Sequence, residues 1–204
     1  MGLQDMPYAV TTHSLHFSDG FFARLGTRFL THYYRTYLDG PTACAVVSEI
    51  DGAVCGYLVG VLDTPRHRGL LLTYHGRALT LAAALGMLRR PWLAAIFVRT
   101  RLRRYVRALA RGRQSLEAFD AGGPVAVLSH VVVSAEDRCH GVGTALVDKF
   151  LRQAELAGCR RACLVTLAGD RGAGEFYERR GWTRTHQRSS SPGRDLVYYA
   201  IDLH

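Results

Sequence analysis

A chain of 204 residues with 48% hydrophobic and 21% charged content has the size and balance of one folded domain, which argues against a disordered or fibrous protein. Its formal charge is +9, and Lys149 is the only lysine, so the excess is carried by arginine. Such a surface attracts phosphorylated cofactors, nucleic acid or acidic proteins, and equally describes a solvated arginine-rich face.

Five cysteines, Cys44, Cys55, Cys139, Cys159 and Cys163, are odd in number and include no C-x-x-C pair. That argues against a disulfide framework and a structural zinc site, and favours reduced thiols in the cytoplasm. No basic-then-apolar leader opens the sequence. The most apolar run, residues 78–88, is too short for a bilayer span of about 20 residues, so no membrane span is expected.

In chain order, residues 8–12 read as a first strand. Asp19 then caps a helical region in which Phe21, Phe22, Leu25, Phe29, Leu30, Tyr33, Tyr34 and Tyr37 recur near helical spacing, with Gly26 dividing it in two. Residues 43–49 and 54–62 read as strands joined by an Asp51-Gly52 hairpin turn. Gly56 and Gly60 inside the second of these mark a bulge or a close approach of backbones.

Residues 63–122 change character. The stretches 71–88 and 92–109 are helical and rich in Leu, Ala and Arg, ending in a basic run from Arg99 to Arg113. This reads as a helical insertion between the third and fourth strands of a single domain spanning 1–204. Valine-rich residues 125–133 form the next strand. A helix follows over 143–157 with Gly158 at its C-cap, then a strand over 162–167 and a short helix over 174–180 ended by Gly181. Closing strands lie at 183–188 and 196–201.

The most informative segment is Arg138-Cys139-His140-Gly141-Val142-Gly143-Thr144, between a strand and a helix. The first N–H groups of a helix lack intrahelical partners and sit at the positive end of its dipole. Glycines let a phosphate approach them, and Arg138 adds charge-assisted hydrogen bonds. The same residues also suit a plain tight turn. A nucleotide P-loop is excluded because no G-x-x-x-x-G-K-[ST] occurs. The dinucleotide pattern G-x-G-x-x-G fails at Leu146.

Here the sequence resembles the GCN5-related N-acetyltransferases, whose cofactor loop reads [RQ]-x-x-G-x-[GA] after a strand with a V-x-x-x-x-R-like ending, as in Val133 to Arg138. A second family pattern, N-x-x-A-x-x-[FLY]-Y-x-x-x-G-[FW], is matched by Ala173, Phe176, Tyr177, Gly181 and Trp182, while Asp170 replaces the usual Asn. An ionised aspartate accepts but cannot donate a hydrogen bond, which puts that contact in doubt. The resemblance is clear over residues 125–201. It implies an α/β fold with a mixed, mostly antiparallel central sheet flanked by helices. It also implies an enzyme that takes an acetyl or other short acyl group from acyl-CoA without a metal.

The resemblance further implies that the strand Val131-Val132-Val133 lies along the pantetheine arm. It implies that Arg138, Cys139, His140, Gly141, Val142, Gly143 and Thr144 hold the pyrophosphate, with Asp170 and Ala173 completing the cofactor site. Tyr177 resembles the family's general acid: a phenol of pKa ~10 is protonated at neutral pH and can supply a proton to a departing thiolate. The alternative is that Tyr177 only packs.

His130 is a candidate base. In a regular strand Ser129 and His130 face opposite ways, and a bulge would change which one faces the acceptor. That acceptor would be an amine of a small molecule or peptide. The insertion is expected to cover the acceptor side, with its basic run toward solvent or an acidic partner such as a carrier protein, or else to form a homodimer interface. Two other classes compete: an acyl-CoA sensor without turnover, and a nucleic-acid- or ribosome-associated protein, for which the basic run offers little stacking besides Tyr105.

Overall fold

Alternating side chains make one sheet serve two cores. The computed structural model describes residues 1–98, 124–169, 172–190 and 194–203. Within them β1 (Ala43–Ile50), β2 (Ala53–Val61), β3 (Val125–Val133), β4 (Arg161–Leu167), β5 (Thr183–Ser190) and β6 (Arg194–Asp202) form a sheet of order β1-β2-β3-β4-β6-β5. The β3–β4 pair is parallel and every other neighbouring pair is antiparallel, so the expected mixed, mostly antiparallel sheet is present.

Tyr57, Val59 and Val61 of β2 point to one face, where they pack with Ala9 and Val10 of α1 (Met6–His16) and with Leu30 and Tyr34 of α3 (Thr27–Arg35). Leu58 points to the other face, among Leu146, Val147 and Phe150 of α7 (Val142–Leu156). This period of two puts α1 and α3 on one side of the sheet and α7 on the other.

Residues 8–12 are not a strand; they lie inside α1. Its buried residues include Met6, Ala9, Val10 and His13, the i, i+3, i+4, i+7 rhythm of a helix, and Pro7 suits its first turn. A five-residue apolar run could not separate the two. The helix after it, α2 (Phe21–Arg24), takes Gly20 as N-cap instead of Asp19, which pairs with Arg24. Gly26, at φ 97°, divides α2 from α3 as expected. The hairpin turn is also as expected: Asp51 and Gly52 both have positive φ, 51° and 79°.

Because the first strand is a helix, the insertion runs between the second and third strands, not the third and fourth. Its described part comprises α4 (Thr64–Leu70), a π-helical turn (Leu71–His75), α5 (Gly76–Arg89) and α6 (Pro91–Phe97). Asp63 caps α4 by accepting the Arg66 N–H. Ala82 of α5 and Leu93 of α6 pack on Leu25 and Phe29. These helices thus buttress α2 and α3, on the sheet face opposite α7. The remainder of the insertion, with the basic run Arg99 to Arg113, lies outside the described residues.

Gly60 answers to packing. A Cβ there would lie 2.4 Å from Cε2 of the fully buried Phe150 ring. The pairing of β2 with β3 slips at this point, between Val59 and Gly60.

Candidate active site

β3 and β4 separate after a short start. Their pairing runs from Val125–Arg161 to Leu128–Leu164 and then ends. β3 continues to Val133 beside β2, and β4 continues to Leu167 beside β6. The backbone edges of residues 129–133 and 165–167 therefore border a wedge between two otherwise continuous strands. Val131 and Val133 pack partly toward the α7 face, whereas Val132 is buried on the α1–α3 face.

At the wide end of the wedge stands the N-terminus of α7. Its N-cap is Gly141, at φ 82°, and no side chain caps it. Cys139, at φ 65°, also adopts the left-handed conformation. Such turns leave backbone N–H groups directed outward at the positive end of a helix dipole. Arg138, Cys139, His140 and Gly141 are exposed, Gly143 and Thr144 half-buried, and only the Val142 side chain turns into the core. A Cβ on Gly143 would lie 3.6 Å from Cζ of Phe176 and 3.7 Å from Cγ2 of Val133, ordinary contact distances.

Phe176 and Tyr177 lie on α8 (Gly174–Glu178). Arg180 ties this segment to α7 through Asp148. Tyr177 is buried in the α7-side core, 5.6 Å from the Trp182 ring and 6.3 Å from the Tyr199 ring. Burial pushes its phenol up to about 12. Ala173 caps α8, and its N–H donates to Oγ1 of Thr166 on β4, which pins this loop to the wedge wall. Asp170 lies outside the described residues.

The β3 side of the wedge carries a bulge. Val59 of β2 pairs with His130 and Gly60 with Leu128, so Ser129 is left over. Both Ser129 and His130 then face α1 and α3. Ser129 lies beside the Tyr37 hydroxyl. His130 packs 4.9 Å from His13, 5.4 Å from Phe17 and 5.9 Å from Tyr33, centroid to centroid. Burial, with a smaller contribution from His13, pulls the His130 imidazole down to about 3. Burial alone takes His13 to about 4.

A cleft of about 650 Å³ opens beside α8, lined by Leu167 at the end of β4 and by Phe176, Arg179, Arg184, Gln187 and Tyr199. Of the described residues expected at the site, only Ala173 lines it. Among the described residues no group of three or more His, Cys, Asp or Glu side chains is placed to hold a metal. None of the described helices is long and apolar enough to cross a membrane.

The family model of the GNAT acetyltransferases matches residues 13–182. The chain belongs to that family. A search of curated proteins finds no match. Among solved structures, an N-acetyltransferase from Staphylococcus aureus Mu50 superposes with TM-score 0.59 at 12% identity, covering 100% of this chain and 96% of the other. An aminoglycoside 6'-N-acetyltransferase complexed with coenzyme A gives 0.58 at 11%, covering 98% and 89%. A GNAT acetyltransferase from Streptococcus pneumoniae gives 0.57 at 10%, covering 100% and 96%. At such identities the likeness establishes the fold.

As a GNAT acetyltransferase the protein draws its acyl group from acetyl-CoA. The residues expected at the cofactor, Val131 to Val133, Arg138 to Thr144 and Ala173, lie around the wedge between β3 and β4. His130 stands at the β3 bulge on the other face of the sheet from the α7-side core that holds Tyr177. Tyr33 of α3 and Tyr37 just after it also bring hydroxyls to the bulge: the Tyr33 hydroxyl lies 2.7 Å from that of Tyr37 and 3.2 Å from Nε2 of His130. The four-residue spacing of Tyr33 and Tyr37 was the available signal, since i and i+4 are neighbours on a helical surface.

Proposed function

We propose that the protein is an N-acyltransferase that moves an acetyl group from acetyl-CoA to an amine by direct attack. The observation that carries this reading is the wedge between β3 and β4, with an uncapped, glycine-started helix at its mouth. The free backbone edge of 131–133 suits the amides of a pantetheine arm. The first turn of α7, with Arg138, suits a pyrophosphate. When bound, the thioester supplies the activated acyl group, and every other requirement falls to the chain.

Tyr177 holds its proton throughout the neutral range, because burial raises its pKa. Complete donation to a thiolate of ordinary basicity, ~8.5, is uphill for so weak an acid. The phenol therefore acts as a hydrogen-bond donor that shares its proton with the developing thiolate, whose own basicity rises in a dry site. His130, neutral at pH 7, serves as a hydrogen-bond partner on the acceptor side. Three buried thiols, Cys44, Cys55 and Cys159, suit a reducing compartment, and we place the protein in the cytoplasm.

The test is release of free CoA thiol from acetyl-CoA in the presence of mixed amines, with mass analysis of the product. Thiol release with an acetylated amine supports transfer. Tight acetyl-CoA binding without any product would favour the sensor reading.

A further inference from the structure

Helix α5 is apolar on both of its sides. The docked side, Leu79, Ala82, Ala83, Gly86 and Met87, packs toward Leu25 and Phe29. The outward side repeats at i, i+4, i+7 and i+11: Arg77, Leu81, Ala84 and Leu88, all exposed. Leu81 is 58% and Leu88 80% exposed. A helix that is apolar all round is ordinarily buried all round. The start of α6 repeats the pattern: Leu93 is fully buried, while Trp92 lies outward at 47%. With Leu72, Tyr74 and Val98, six of the eleven exposed large hydrophobic side chains among the described residues fall between 72 and 98. That is a concentration, unlike the single apolar residues scattered over any surface.

Charge narrows what covers this surface. Between Asp63 and Glu117 the sequence has twelve arginines and no carboxylate side chain. Twelve exceeds the net +9 of the whole chain, so the rest of the chain is acidic on balance. Among the described residues, Arg66, Arg68, Arg77, Arg89 and Arg90 of this stretch are exposed. The bordering carboxylates, Asp19 and Asp39, face Arg24 and His75. Arg24 in turn lies 5.2 Å from the centre of the Trp92 ring. Exposed leucines gain nothing from a phosphate backbone, and a second copy of the same face would bring arginine against arginine. A partner that is apolar inside and anionic at its surface satisfies both features.

We propose that α5 and the start of α6 form a docking surface for an anionic phospholipid bilayer. The protein lies on the bilayer with Leu81, Leu88 and Trp92 at the headgroup boundary and Arg77 and Arg89 among the phosphates. Tryptophan suits that boundary because one end of its ring is apolar and the other polar. None of the described helices crosses the membrane, so the attachment is peripheral. The cytoplasmic leaflet carries such lipids, which agrees with the compartment proposed above. The inference is independent of acyl transfer, since membrane binding is read without a substrate.

The two tryptophans supply a reporter: Trp182 is only 2% exposed, so a change at the surface is read from Trp92. Vesicles of phosphatidylglycerol with phosphatidylcholine should co-sediment the intact chain and shift Trp92 emission to the blue. Phosphatidylcholine alone should bind it more weakly by on the order of tenfold. Raising the salt to ~0.5 M should release the protein, because the attraction is screened. In Trp92→Phe the blue shift should vanish. Leu81→Glu combined with Leu88→Glu should weaken binding by on the order of tenfold while Tm stays near that of the parent. Arg77→Gln combined with Arg89→Gln is the second variant, and each arginine lost should reduce binding roughly fivefold.

Absence of vesicle binding would overturn the inference. So would binding that survives in the leucine variant with Trp92 emission unshifted, since the arginines alone would then account for it. A dimer in sedimentation equilibrium that the leucine variant dissociates, with vesicles ignored, would make this face a contact between copies instead. Salt-sensitive retention on RNA without vesicle binding would assign the arginines to nucleic acid and also reject the bilayer.

Discussion

The Tyr33 hydroxyl stands 3.2 Å from Nε2 of His130, joining α3 to β3 across 97 residues of sequence. Its contact requires the β3 bulge: in a regular strand Ser129 and His130 would face opposite ways. The bulge in turn coincides with Gly60, where the Phe150 ring occupies the space a side chain would need. Packing on the α7 face thus aims a polar residue on the opposite face.

This network sets an acid limit on stability. His13 and His130 titrate near 6.5 when unfolded but are held at about 4 and about 3 in the fold. Between those values the unfolded chain binds the extra protons. The stabilisation is complete above pH ~6.5 and drains as pH falls toward 4, at up to about 1.4 kcal/mol per pH unit for each histidine. Urea midpoints measured from pH 7.5 to 4 should show this loss. His13→Phe should flatten the slope by about one proton. A midpoint independent of pH over that range would show that neither histidine is neutralised by folding.

The α7 terminus makes a graded prediction about cofactor binding. Gly141 sits at φ 82° with open space around it, so the backbone, not crowding, selects glycine. Asn tolerates this conformation and adds no charge, so Gly141→Asn should retain most CoA affinity. Gly141→Glu adds strain and a carboxylate at the proposed pyrophosphate site and should weaken binding more than tenfold. Gly143→Ala meets only ordinary contacts and should bind nearly as the parent. Calorimetric titration with CoA checks all three. Equal affinity across the series would move the pyrophosphate elsewhere.

Legibility followed the range of the interactions involved. The strands of residues 43–61 and 125–133 could be read because β-branched runs and an Asp-Gly turn are local signals. α1 was misread because residues 8–12 show too little of the pattern, whose other anchors are Met6 and His13. The glycine loop and the Phe176-Tyr177 segment stood out as motifs, and the sheet places the loop at the mouth of the β3–β4 wedge. The facing of His130 could not be read, since it depends on a ring from α7, some twenty residues along the chain. Nor could the tyrosine hydroxyls be assigned, because helical spacing reveals a buried face without revealing what its polar tips meet.

Attachment of the insertion rests on another close approach. Gly86 of α5 crosses the chain so tightly that a Cβ would lie 2.5 Å from the Leu25 carbonyl oxygen. In an exposed helix Gly→Ala stabilises by about 1 kcal/mol. Gly86→Ala should instead destabilise, by roughly 1–3 kcal/mol, because backbone cannot swing aside as a side chain can. Thermal unfolding would register this as a lowered Tm. A raised Tm would mean that α5 does not dock on the α2–α3 turn.

Tyr177 is where structure and chemistry make separable demands. Its ring fills the α7-side core between Phe176, Trp182 and Tyr199, a role that phenylalanine performs equally well. On the proposed mechanism its hydroxyl alone supplies the proton shared with the departing thiolate. Tyr177→Phe should therefore fold with near-parent Tm and bind CoA normally, yet turn over on the order of 10²-fold more slowly. The pH profile offers a second check. An acid must be protonated to act, and burial raises this one to about 12. Deprotonation of Tyr177 should then impose no loss of parent kcat between pH 7 and 10. Any fall in that window belongs to another group, and should persist in the residual activity of Tyr177→Phe. Single-turnover release of CoA, with a verified amine, reads the chemical step directly. Parent-like rates in the variant would leave Tyr177 as a packing residue and require another donor at the wedge.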